Sequence, residues 1–223
     1  KVSAIIEQLC GSQISSTQVS RATQLLDETL QEWRTRPLGE CPYLYLDARY
    51  EKVRDHGQVR DVAVLIASGV TPDGKRRLLG VSVSLGEHEV HWRTFLQSLV
   101  ARGLGGVQLI VSDDHAGLKA ARPSVFGGVP WQRCQFHLQQ NAQAYVPRVE
   151  LRAPVAADVR NIFNAPNQVA AEALLKQTIE KYAQTAPKLA RWLESDLPEG
   201  FTTFHFPVAH QRRLRTVNGI ERL

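Results

Sequence analysis

Three strand-like runs follow one another with no helical stretch between them: Tyr43 to Tyr50, Val59 to Ala67 and Arg77 to Leu85. The turn Thr71-Pro72-Asp73-Gly74 separates the last two. Strands joined this closely form a meander, because a doubly wound sheet needs a crossover helix after each strand. A helical pattern comes next, with Trp92, Phe95, Leu96, Leu99 and Val100 on one face and Gly103 as its stop. Val107 to Ser112 reads as a fourth strand and His115 to Ala121 as a short helix ended by Arg122-Pro123. Pro130 to Cys134 reads as a short fifth strand, and a helix starts near His137. The order β-β-β-α-β-α-β-α therefore excludes the doubly wound class.

That order fits an α+β fold of the ribonuclease H-like kind, built on a mixed five-stranded sheet. The flanking segments read as helical. Val2, Ile5, Ile6 and Leu9 make one stripe; after a break at Gly11, Val19, Ala22, Leu26, Leu30 and Trp33 make another. The break holds a Ser15-Ser16 cap before the polar run Thr17 to Arg21. A helix-turn-helix presents a recognition helix in this way, with Arg21 towards DNA, and a plain helical hairpin gives the same pattern. Pro37 and Gly39 mark a boundary. From Pro147 to Pro198 the strand signal vanishes. Val155, Val159, Ile162 and Phe163 mark one helix, and Leu175, Ile179, Tyr182, Leu189, Trp192 and Leu193 mark a further stretch broken at Pro187, with Trp192 spaced for core packing. Phe201 to Phe206 reads as extended, and Arg212 to Leu223 as a basic helix. The expected organisation is a helical segment over 1–38, a core over 39–146, an all-helical insertion over 147–208 and a return to the core over 209–223.

Composition narrows the partners. The chain has 27 Lys and Arg against 22 Asp and Glu, a net charge of +5, with arginines grouped at Arg76-Arg77 and at Arg212, Arg213, Arg215 and Arg222. This favours a polyanion mildly, and a slightly basic solvated surface explains it as well. The longest apolar runs, such as Val62 to Ala67, are too short to span a bilayer, so no membrane role is expected. Cys10, Cys41 and Cys134 are odd in number and widely spaced, which suits a reducing compartment. With no methionine, a start at Lys1 and a last stretch that reads as mid-helix, the chain is expected to be part of a longer protein.

Two strand ends carry charge. Asp47 follows the apolar and aromatic run Tyr43 to Leu46, and a carboxylate there is costly unless compensated, most strongly by a cation. Asp113-Asp114-His115-Ala116-Gly117 follows the fourth strand directly. In a sheet of this order the first and fourth strands are neighbours, so Asp47 and Asp113 can meet. Two-metal phosphoryl transfer needs carboxylates converging on cations about 3.5–4 Å apart. Surface turn positions are the other reading of the same two residues. Asp114 competes with Asp113, but the strand period aims it at the opposite face. Cys134-x-x-His137 is half a zinc site without a second cysteine pair, which disfavours zinc. His137 can orient an acid, contact a phosphate or be a structural histidine, and His115 has the same ambiguity.

Three stretches carry a family resemblance. Tyr43-Leu44-Tyr45-Leu46-Asp47-Ala48, with Val53-Arg54 just after it, resembles the first acidic motif of the bacterial insertion-sequence transposases of the Mutator superfamily. Val111-Ser112-Asp113-Asp114-His115-Ala116-Gly117-Leu118 resembles their second, and Arg215-Thr216-Val217-Asn218-Gly219-Ile220-Glu221-Arg222-Leu223 their third. Thr216-Val217 stands where the family usually has two Thr. Arg133-Cys134-Gln135-Phe136-His137 also matches, since the family carries Cys or Asp shortly before a His after the second acid. The resemblance implies a DDE transposase in which Asp47, Asp113 and Glu221 hold two Mg²⁺ ions, with Mn²⁺ as a substitute, for DNA cleavage and strand transfer. It also implies double-stranded DNA partners (terminal inverted repeats and target), a homodimer or higher oligomer, and a bacterial cytoplasmic, nucleoid-associated location. Arg212, Arg213 and Arg215 lie next to the third acid in sequence, where phosphate contact is expected. A ribonuclease H-like nuclease that does not join strands, and a non-catalytic DNA-binding regulator derived from a transposase, are the alternatives.

Overall fold

The computed structural model describes residues 15–55 and 57–217. The chain divides into two compact units, between Leu38 and Gly39.

In the first unit, helix α1 (Ser16–Thr35) starts at a capping box: the Ser15 side chain accepts from the Gln18 backbone N–H while Gln18 reaches back to Ser15 N–H. Arg21 is exposed on this helix. The helix expected over Val2 to Leu9 and the break at Gly11 lie outside the described residues, and with them half of the expected helix-turn-helix.

The second unit is built on five strands: β1 (Tyr43–Asp55), β2 (Gln58–Val70), β3 (Arg76–Ser84), β4 (Leu109–Ser112) and β5 (Trp131–Arg133). Their spatial order is β3-β2-β1-β4-β5, with β1, β2 and β3 antiparallel and β4 and β5 parallel. This is the ribonuclease H-like arrangement. Strands β1 and β2 run well past the apolar stretches expected for them. Their outer halves, including Arg49, Glu51, Lys52 and Arg60, form an exposed two-stranded ribbon. Charged residues can occupy both faces there because both are exposed, while the ladder still satisfies the backbone.

Alternation assigns the two faces of the sheet. Helices α2 (Glu89–Ala101) and α3 (Ala116–Val125) bury Trp92, Phe95, Leu96, Leu99, Leu118 and Ala121. Helix α2 approaches β3 so closely that a Cβ on Gly80 would lie 2.9 Å from Leu99 Cδ2. Helix α3 continues to Val125 instead of stopping before Pro123. Pro123 falls near its C-terminus, so one intrahelical bond is lost, and the Phe126 N–H still closes the helix on the Arg122 carbonyl at 2.8 Å. The opposite face holds Tyr45, Leu109 and Val111 packed with Cys134, Leu214 and Val217.

Helix α4 (Gln135–Ala144) leads into the helical insertion, α5 (Arg152–Phe163), α6 (Gln168–Tyr182) and α7 (Pro187–Asp196). Pro187 is the first residue of α7, where its missing N–H costs nothing. The insertion has its own core, in which Val155, Ile162, Phe163, Leu175, Leu189 and Trp192 pack with Leu138 and Ala142 of α4. Trp192 is buried and stacks on Tyr145 at 5.5 Å between centroids. The segment expected to be extended, Phe201 to Phe206, instead forms a 3₁₀ turn, Thr202–His205, after another at Leu197–Gly200. Its aromatics dictate this: Phe201 packs edge-on against Phe163 and Phe204, a cluster that a straight strand could not close. The stretch read as a basic helix, Arg212 to Leu223, is described only in part: α8 (Val208–Leu214) ends before Arg215, and residues 218–223 lie outside the described residues. Glu221 lies outside the described residues.

Candidate active site

Register brings the two charged strand ends together. Strands β1 and β4 pair as Tyr43↔Leu109, Leu44↔Ile110 and Tyr45↔Val111, and the same offset carried forward sets Asp47 opposite Asp113. Asp47 is not at the end of its strand, as its sequence suggested; β1 continues with β2 to Asp55, and Asp47 is where the neighbouring strand β4 has run out. Each carboxylate caps its own chain: Asp47 Oδ1 accepts from Ala48 N–H at 3.0 Å and Asp113 Oδ1 from Asp114 N–H at 2.7 Å. Both line one pocket of about 60 Å³ with Glu87, His115, Leu46, Ala48, Trp92 and Leu118.

Asp114 is committed elsewhere. It pairs with Lys119 at 2.9 Å and with Arg133 at 3.2 Å, and Arg133 also reaches Asp196 at 3.1 Å and Glu199 at 3.0 Å. Burial would lower the Arg133 pKa, but the carboxylates around it more than offset this and raise it. The residue adjacent to Asp113 thus anchors the sheet to the end of the insertion, and Asp113 is left facing the pocket.

The pair Cys134 and His137 opens helix α4. Cys134 is fully buried, and its backbone N–H donates to the Ser112 carbonyl at 2.7 Å, which fixes the helix start one residue from Asp113. His137 follows one turn later, with Nδ1 3.8 Å from Asp113 Oδ1. Its pKa is raised from 6.5 to about 9, first by the hydrogen bond with the Cys134 side chain, against burial, and further by the carboxylates of Asp113 and Asp47. The protonated ring therefore stabilises the fold fully below pH 6.5, and that contribution is lost as pH rises through about 9. In metal-free buffer the melting temperature is expected to fall by several degrees across that window, and His137→Gln to remove most of the slope. A slope unchanged in the variant would rule out His137 as its source.

His115 caps helix α3, its Nδ1 accepting from Gly117 N–H at 3.3 Å. None of Arg212, Arg213 and Arg215 lines the carboxylate pocket. Arg213 lines a separate groove of about 820 Å³ with Tyr43, Tyr45, Arg76 and His210, which has no carboxylate in its walls. Arg215 donates to Asn164 Oδ1 at 2.8 Å, tying the segment after α8 to the insertion. Glu87 escaped the sequence reading altogether. It stands in a loop beside a second glutamate, Glu89, and nothing local separates the two.

Among the described residues no three His, Cys, Asp or Glu side chains converge as a ready metal cluster, and no helix is long and apolar enough to cross a membrane. The sequence matches the family described as "Transposase, Mutator family" over residues 1–223. It is 58% identical, over its whole length, to the transposase for insertion sequence element IS406 of Burkholderia multivorans, covering 58% of that protein. It is 40% identical to the transposase for element ISRM5 of Rhizobium meliloti, again over the whole chain and 56% of the relative. The chain thus spans a little over half the length of these relatives. Among solved structures, the HTLV-2 integrase catalytic core in complex with magnesium overlaps 81% of this chain and 99% of its own, at 13% identity and a TM-score of 0.29. The fold is defined by the strand order β3-β2-β1-β4-β5.

Proposed function

Because the chain belongs to the Mutator family of transposases, we propose that it carries the metal-dependent centre for DNA cleavage and strand transfer, with Asp47, Asp113 and Glu221 as its acids. The observation that carries this reading is the register that sets Asp47 against Asp113, where β4 runs out beside β1, with both lining one pocket. The donors there are carboxylate oxygens, which suit Mg²⁺ or Mn²⁺ and not a thiolate-loving metal. Bound there, two such ions would activate an attacking oxygen and stabilise a leaving one.

The chain's own residues divide the remaining work. Asp47 and Asp113 are held by their neighbouring backbone N–H groups, so they need not reorganise to receive a cation. His137 offsets part of their charge before a cation arrives. The Arg133 network keeps Asp114 out of the pocket. Water would break a phosphodiester at the element end and release a 3′-hydroxyl, and that hydroxyl would attack target DNA by the same in-line chemistry. The partners are duplex DNA, as terminal inverted repeats and target, and a second copy of the chain to hold the other end.

The test is cleavage and joining of a terminal-repeat duplex by the intact protein with Mg²⁺. Both products should form, and neither should in EDTA. Full activity of Asp47→Ala would overturn the assignment. Cleavage without joining would indicate a nuclease, and DNA binding indifferent to Mg²⁺ without cleavage would indicate a regulator.

A further inference from the structure

We propose that Glu87 is a further cation-binding carboxylate of this site, reaching it from the α2 side of the sheet. The proposal rests on Asp47 and Asp113 holding a cation, and the experiment below separates the two. Glu87 lies between β3 and α2, and its side chain is only 10% exposed. It lines the same pocket as Asp47 and Asp113. Its neighbour Glu89 behaves as an ordinary surface residue, 43% exposed and paired with Arg93 one turn on.

The position of Glu87 is fixed by the second acidic segment itself. A Cβ on Gly117 would sit 1.9 Å from the Glu87 carbonyl oxygen and 2.9 Å from Glu89 N, so only glycine lets the start of α3 dock on this loop. The docking brings a carboxylate from a distant part of the sequence beside Asp113.

The charge of Glu87 meets no permanent cation in the pocket. No lysine or arginine lines the pocket. His115 Nδ1 is 3.7 Å away, beyond hydrogen-bonding reach, and accepts from Gly117 N–H. Among the described residues, no hydrogen-bond donor reaches the Glu87 carboxylate. A carboxylate only 10% exposed loses most of its hydration, and a cation is the strongest compensation for that loss. Because three side chains do not converge on one point among the described residues, Glu87 would act on the cation through water, which Mg²⁺ gives up reluctantly. The pocket of about 60 Å³ has room for it.

The experiment is a Mn²⁺ titration of the intact protein, followed by calorimetry and by the electron-spin signal of the free ion, with melting temperature measured metal-free. Glu87→Gln, which keeps shape and removes charge, is expected to weaken Mn²⁺ binding roughly 10–100-fold. Its metal-free melting temperature should be unchanged or higher, since an uncompensated buried charge is gone. Asp47→Asn, run in parallel, should lose binding at this site. Wild-type affinity in Glu87→Gln alongside loss in Asp47→Asn overturns the proposal and leaves the metal centre standing. Wild-type affinity in Asp47→Asn overturns both. Should Glu87→Gln fail to fold, Glu87→Asp carries the same test: the shortened reach should weaken Mn²⁺ binding roughly tenfold, within the range for a group supporting a metal's ligands, and wild-type affinity would overturn the proposal.

Discussion

Asp47→Asn in the intact protein is expected to lower strand cleavage by roughly a thousandfold or more, and Asp113→Asn by a similar factor. Each change removes one anionic oxygen while leaving the acceptor that holds the neighbouring backbone N–H. The fold should therefore survive, and far-UV circular dichroism should match the wild type. A bound cation contributes several kcal/mol to the barrier of phosphoryl transfer, and each 1.4 kcal/mol is about tenfold in rate. The informative control is Asp114→Asn. Asp114 is engaged with Lys119 and Arg133, so its loss should affect stability more than turnover. Cleavage by Asp47→Asn within tenfold of the wild type, at saturating Mg²⁺, would remove Asp47 from the chemistry.

Arg133→Ala is expected to destabilise the protein by about 3–5 kcal/mol, the range for removing one partner of a buried ion network. Arg133 is 4% exposed and serves Asp114, Asp196 and Glu199 together. Truncation leaves Asp196 without this partner, and Asp114 and Glu199 with Lys119 alone, at 2.9 Å from each. At about 2–4 °C per kcal/mol for a domain of this size, the melting temperature should fall by roughly 6–20 °C. Arg133→Met separates charge from packing, since it keeps much of the volume and none of the donors. It should cost nearly as much as alanine, and thermal denaturation of the pair decides. A methionine variant as stable as the wild type would mean that packing, and not the ion network, holds the junction.

The site and the network differ in how visible they are in the chain. Local periodicity marks β1 to β5 because alternating and helical burial depend on residues two to four apart. The order of those elements then determines which strands are neighbours, and so that Asp47 and Asp113 share a sheet end. Where the same local signal misleads, the reason is a contact it cannot contain. The outer ribbon of β1 and β2 shows no apolar alternation, because its ladder needs only the partner strand. Phe201 to Phe206 looks like a strand, and it coils because Phe163 lies across from it.

By itself, the sequence determined the class of fold, the strand order, and the two carboxylates that the sheet would bring side by side. Only the tertiary structure decided which other charges join them. Glu87 and Glu89 are two residues apart and chemically identical; one is buried in the carboxylate pocket and the other pairs with Arg93. The difference is set by Gly117, thirty residues away, whose missing side chain lets α3 close on the loop. Arg133 likewise meets Asp196 and Glu199 only after the insertion has folded back on the sheet. Electrostatic compensation acts through space, and the partner of a buried charge is known only when the chain has closed around it.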